Sequence, residues 1–258
     1  MREVKGAAEG VLPLSVYEEL YALGRDFGGG NIVEIGTAGG AATVALALGA
    51  IAGGKPFHIW TADPMDRGSR LAVSSVADNI ARLRQVFFQY EVEGYISIIT
   101  GDVFAISRNV VPQSISLLLI DADGRVDRDL SELYPRLSPD ARVVIDDVVD
   151  QVFAEKKGGS WYIMQKHRLT YLIATALCRE GLLLEDRRVA QTVFYRRGRA
   201  ERASGEIREL AFAAYSKLAF AKLSLGQVGV RAGLRRVSQR HVPMLLHLYR
   251  WIRHGEPR

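Results

Sequence analysis

The sequence predicts an α/β chain: a doubly wound, seven-stranded sheet in which five parallel strands are closed by an antiparallel hairpin, followed by a basic helical C-terminal extension. Three observations carry this. Apolar runs of strand length alternate with segments of helical period, the pattern of a parallel sheet covered by helices on both faces. The alternation then ends in two short strands too close together for a crossover helix, so they must pair antiparallel. Charge is also divided along the chain. Residues 196–258 hold fourteen Lys/Arg against four Asp/Glu, and residues 1–195 hold twenty against twenty-five, so a body of −5 bears a tail of +10.

Taken in order, a helix over 14–27 precedes a first strand at 32–35. Helix 41–51, strand 57–62, helix 69–88 and strand 95–99 follow, then helix 103–109, strand 115–120, helix 126–136 and strand 142–145. A helix is expected to start at Ser160 and run to about 179, stopped by Gly181 in the place where left-handed backbone ends helices. Segments 182–188 and 191–197 make the hairpin. Segment 150–159 reads as a lid, with Trp161, Tyr162 and Met164 as packing groups behind it. One domain is expected over 1–198 and the extension over 199–258, with helices at 205–225 and 242–254. In the latter, Met244, Leu245, Leu248, Trp251 and Ile252 oppose Arg250, Arg253 and His254. Such a helix docks on the body or on a second copy, making a homo-oligomer, or lies on an anionic membrane surface.

Composition excludes several classes. The 258 residues are 48% hydrophobic and 24% charged, enough for a real core and too apolar for wholesale disorder. The single Cys178 closes no internal bridge and cannot build a thiolate metal cluster, which fits a reducing, cytoplasmic setting. Residues 35–54 are uncharged and long enough to span a bilayer, yet six of them are Gly and Glu34 abuts the start. They read as strand, glycine turn and buried helix. The opening MREVKGAAEG has no apolar export region.

Ligands of open α/β sheets bind at the carboxyl ends of the strands. There the first strand runs through Glu34-Ile35-Gly36-Thr37-Ala38-Gly39-Gly40 into a helix, whose amide donors face the same space. The spacing matches neither the dinucleotide fingerprint nor the lysine-bearing phosphate loop. Acidic residues end the next strands: Asp63 after the second, placed to accept from a ribose diol, Asp102 after the third, and Asp121 and Asp123 after the fourth. Such a rim suits a cationic or diol-rich ligand better than a polyphosphate.

These motifs resemble the successive motifs of class I S-adenosylmethionine-dependent methyltransferases over about 14–197, and IDADG followed by LYPRLSPDARVVIDD is similar to the metal-dependent O-methyltransferases of small molecules and sugars. The resemblance implies that Gly36, Thr37, Gly39 and Gly40 line the methionine part of S-adenosylmethionine. Asp63 then holds the ribose, Asp102 sits by the adenine and Glu34 shapes the pocket. Asp121 borders the cofactor and, with Asp146 and Asp147, matches a divalent-metal site. Independently, three close carboxylates repel unless a cation or protonation relieves them, and oxygen ligands favour Mg²⁺, Ca²⁺ or Mn²⁺. Where relatives carry Lys or His after Asp-x-Asp this chain has Gly124, so the proton falls to Asp123 or His167.

The expected function is an S-adenosylmethionine-dependent O-methyltransferase acting on a hydroxyl of a small or glycosylated molecule. No nucleic-acid partner is expected, because the Pro-Pro-aromatic motif of nucleobase methylation is absent after the fourth strand. Two rivals stand beside this reading. One is a metal-dependent, hydroxylase-like relative without S-adenosylmethionine affinity; the other is a decayed binding module whose tail contacts membrane or nucleic acid.

Overall fold

The computed structural model describes residues 1–65, 75–157, 160–198 and 203–219. Nine strands and eight α-helices are assigned among them. In chain order they are α1 (Arg2–Ala7), α2 (Leu14–Asp26), β1 (Gly30–Ile35), α3 (Ala41–Gly53), β2 (Phe57–Asp63), α4 (Val76–Gln89), β3 (Ile96–Thr100), α5 (Val103–Ser107), β4 (Ile115–Ile120), α6 (Val126–Leu133) and β5 (Leu137–Ile145). Then come β6 (Phe153–Lys157), β7 (Ser160–Met164), α7 (Lys166–Arg179), β8 (Leu183–Val189), β9 (Thr192–Arg197) and α8 (Ala203–Ala219).

The main sheet has the order β3-β2-β1-β4-β5-β9-β8. Its first five strands run parallel, and β9 pairs antiparallel with both β5 and β8. The expected sheet and its closing hairpin are therefore present. The central strand β4, Ile-Ser-Leu-Leu-Leu-Ile, is buried on both faces, which is why it reads as a continuous apolar run without alternation. Val33, Leu118, Val143 and Tyr195 face one core with Leu130, Leu133 and Ile173, and Ile32, Leu117, Val144 and Phe194 face the other with Leu20 and Leu46.

Two expectations are corrected. The helix expected to start at Ser160 starts at Lys166, because 160–164 pair with 153–157 as a separate two-stranded sheet. Residues 153–157 of the expected lid segment are thus strand β6. The sequence also gave no sign of α1, whose Val4 and the following Ala8 are buried against the body.

Of the basic extension, α8 packs Ile207, Ala211, Ala214 and Leu218 into the same core as β4 and α6. The expected helix 242–254 and the junction at 199 lie outside the described residues, as does the expected start of the helix at 69–88. Replacing Ile207 with alanine is expected to destabilise the fold by about 2–4 kcal/mol through lost burial and a cavity. Urea denaturation checks this; a shift below half a unit in kcal/mol would show that α8 is not part of the core. Among the described residues, no helix is long and apolar enough to cross a membrane.

Candidate active site

Strand order reverses between β1 and β4, and the site lies at their carboxyl ends. After β1 the chain turns at Gly36, whose φ of +98° is open to glycine at little cost. A Cβ there would lie 1.9 Å from the Asp121 carbonyl oxygen, so the turn and the end of β4 are in backbone contact. The Gly36 amide donates to Ala62 at 2.8 Å, the Asp121 amide to Ile35 at 2.9 Å and the Asp146 amide to Ile120 at 3.0 Å. These bonds continue the parallel ladder one step past each strand and line up Gly36, Asp121 and Asp146. Gly39 lies under the end of α1, where a Cβ would meet the Ala8 carbonyl oxygen at 2.0 Å, and Gly40 begins α3 with φ +85°.

A buried polar chain stiffens this turn. Glu34 is wholly buried, and its Oε2 accepts hydrogen bonds from the hydroxyls of Thr43 at 2.5 Å and Thr61 at 2.6 Å. Since the Thr61 proton is directed to Glu34, the Thr37 hydroxyl must donate to Thr61, 2.5 Å away. Burial raises the Glu34 carboxyl to about 7 despite its two donors. Glu34 therefore shapes the pocket from behind. Asp63 spans the turn more directly, accepting from the amides of Ala38 at 3.3 Å and Met65 at 2.8 Å. Asp102 caps α5 by accepting from the Phe104 amide at 3.0 Å.

The acidic centre forms as expected: Asp121, Asp146 and Asp147 each bring a carboxylate oxygen within 4.8 Å of the others. Burial and the repulsion of its two neighbours raise Asp121 to about 8. Asp146 is raised by burial, although Thr192 donates a hydroxyl hydrogen bond to its Oδ1. Asp147 shows the opposite balance. Burial raises it, but hydrogen bonds from His167 and Lys166 more than offset this and the carboxyl ends below its ordinary value. Lys166 Nζ lies 2.6 Å from Asp147 Oδ2, and His167 Nε2 lies 2.9 Å from Oδ1.

Of the two residues expected to take a proton, only His167 joins this centre. Its ring lies edge-on to Phe153, 4.5 Å between centroids, and its buried Nδ1 has no hydrogen-bond partner. Asp123 is exposed and turned to Arg128, which reaches both its oxygens at 3.2 and 3.3 Å, and it accepts from the Arg125 amide. The sequence reading missed Lys166. Gly124, with φ +83°, lies so close to the start of α7 that a Cβ would sit 2.7 Å from Lys166 Cβ. Position 124 is bare because Lys166 covers it. The available signal was the Lys166-His167 pair itself, readable only once 160–164 is recognised as strand.

A family model described as Methyltransferase domain matches residues 33–148, from β1 through the acidic centre. No curated protein sequence matches the chain. Solved structures similar to it include a methyltransferase from Geobacter sulfurreducens, with 17% identity, TM-score 0.53, and 76% of this chain and 89% of that one covered. Another is an O-methyltransferase from Bacillus cereus in complex with SAH, with 17% identity, TM-score 0.54, and 77% and 90% covered. A third is the O-methyltransferase of Streptomyces achromogenes involved in tomaymycin synthesis, in complex with SAM, with 15% identity, TM-score 0.52, and 76% and 89% covered. At these identities the structures speak for the fold, while the match to the methyltransferase-domain model covers the glycine turn and every acidic strand end, so residues 33–148 of this chain are similar to a methyltransferase domain.

Proposed function

We propose that the chain transfers the methyl group of S-adenosylmethionine to a hydroxyl oxygen of a small or glycosylated molecule. The observation that carries this reading is the Asp147–His167 pair beside the three-carboxylate centre, one step along the sheet from the Gly36 turn. Two of the similar structures, by their descriptions, are O-methyltransferases holding SAM or SAH. In the proposed arrangement Gly36, Thr37, Gly39 and Gly40 cradle the methionine part, Asp63 accepts from the ribose hydroxyls and Asp102 sits by the adenine. The acidic rim suits a ligand with a cationic sulfonium.

The reaction is a direct displacement. A hydroxyl oxygen attacks the methyl carbon in line with the carbon–sulfur bond, and that bond's electron pair moves to sulfur, leaving neutral S-adenosylhomocysteine. The hydroxyl proton goes to the His167–Asp147 pair, in which Asp147 orients the imidazole ring. Hydroxyl-bearing substrates incubated with methyl-labelled S-adenosylmethionine test the reading: label on oxygen supports it, and label on nitrogen or carbon alone overturns it. His167→Ala is expected to lower turnover about 100-fold or more while leaving cofactor affinity near that of the wild type.

Asp63→Ala is expected to weaken S-adenosylhomocysteine binding by about 1–3 kcal/mol, as expected for lost hydrogen bonds. Calorimetry measures this, and an unchanged affinity would remove Asp63 from the cofactor site.

A second reading has Mg²⁺ or Mn²⁺ held by Asp121, Asp146 and Asp147, and the convergence of their oxygens favours it. The donor set as built does not fit that ion. Both Asp147 oxygens already accept from Lys166 and His167, and Asp146 Oδ1 from Thr192. No reaction step is assigned to a metal.

A further inference from the structure

We infer that Lys166 is the built-in cation of the acidic centre, standing in the place of a divalent ion, so that this chain holds its substrate without a metal. Three independent features of the chain support this. The Lys166 ammonium lies 2.6 Å from Asp147 Oδ2 and 3.5 Å from the Ala122 carbonyl oxygen, inside the segment that carries Asp121. One ammonium thus bridges the ends of β4 and β5, the two strands that supply all three carboxylates.

The second feature is the matched pair of positions 124 and 166. Any side chain at 124 would collide with the Lys166 Cβ, and the φ of +83° disfavours one as well. The cation enters from α7 because the loop after β4 leaves the room for it.

The third feature is its electrostatic misplacement by local rules. Helix α7 opens on Lys166-His167-Arg168 with no acidic residue in its first turn, although a helix N-terminus favours negative charge. The cost is offset only by tertiary partners, Asp147 for the first two and Asp150 for Arg168, 3.2 Å away. Asp147 itself is held at φ +60°, a conformation costly for a non-glycine residue and maintained where the surroundings over-determine it. A backbone bent out of its way to meet two basic side chains is built for them.

The role assigned to Lys166 rests on the methyl-transfer reading only in naming what the cation serves; its presence in place of a metal is tested separately. Calorimetric titration with Mn²⁺ alone is compared for the full-length wild type, Lys166→Met and Lys166→Arg. The wild type and Lys166→Arg are expected to show no binding below millimolar Mn²⁺. Lys166→Met, relieved of a positive charge a few ångström from the carboxylates, is expected to bind it at least about tenfold more tightly. Micromolar Mn²⁺ binding by the wild type overturns the inference, and needs no variant to fold. So does a folded Lys166→Met, verified by near-ultraviolet circular dichroism, that gains no Mn²⁺ affinity. Titration of the wild type with S-adenosylhomocysteine keeps the two readings apart: its failure sinks methyl transfer and leaves the Mn²⁺ comparison standing.

Discussion

Replacing Gly36 with alanine is expected to abolish binding of S-adenosylmethionine and S-adenosylhomocysteine and to destabilise the fold by about 2–5 kcal/mol, the sum of backbone strain and overpacking. The alanine Cβ would lie 1.9 Å from the Asp121 carbonyl oxygen and 2.7 Å from its carbonyl carbon, both of them backbone atoms. No rotamer relieves such a contact. The φ of +98° lies outside the region that alanine adopts readily. The strain can be released only by shifting Asp121, and its amide bond to Ile35 ties that shift to the end of β1. The cofactor turn and the acidic centre would then move together. Gly6→Ala is the control: it lies in α1, nothing comes within 4 Å of a Cβ there, and alanine favours helix by up to about 1 kcal/mol. Calorimetry with S-adenosylhomocysteine and urea denaturation of both variants decide the matter. A Gly36→Ala protein with wild-type affinity and stability would show that the turn does not form as described.

The sheet was legible because its signals are local. The apolar run of β4 and the close spacing of β8 and β9 each have a single structural reading. The glycine turn and Asp63, Asp102 and Asp121 were legible for the same reason, each standing at the end of a recognisable strand, while Asp146 and Asp147 were singled out through the family resemblance. The β6–β7 pair was not, since Ser160 looks like a helix cap and Trp161-Tyr162-Ile163-Met164 is apolar enough to continue the following helix. Once that segment was read as helix, Lys166 fell in its second turn with no reason to face the acidic strand ends. Its contact with Asp147 joins residues on different elements, and no local pattern encodes it. Asp123 misled in the opposite way: by position it belongs with Asp121, but the loop turns it outward to Arg128.

The second large effect is a change in the pH dependence of stability at Glu34. This side chain is 0% exposed, both its donors reach Oε2, and Oε1 has no hydrogen-bond partner. Burial raises the folded-state value from 4.5 to about 7, with a smaller contribution from the charge of Asp63. A raised value means that the folded state binds the proton more tightly than the unfolded chain. The stability gained is therefore fully present below about pH 4.5 and is lost as the pH rises through about 7. Glu34→Gln removes that titration while keeping an oxygen that accepts from Thr43 and Thr61. The variant is expected to gain up to about 3 kcal/mol on the wild type between pH 5 and pH 8, at 1.36 kcal/mol per pKa unit. Urea denaturation at pH 5, 6, 7 and 8 gives the two stability profiles. The wild type should lose stability relative to the variant most steeply between about pH 5 and pH 6.5 and level off above about pH 7, where the carboxylate is ionised in both states and must stay buried among apolar strands in the folded one. Parallel profiles across this range would mean that Glu34 ionises in the folded protein as easily as in water, and that the Glu34–Thr61–Thr37 chain is not the dry support of the glycine turn.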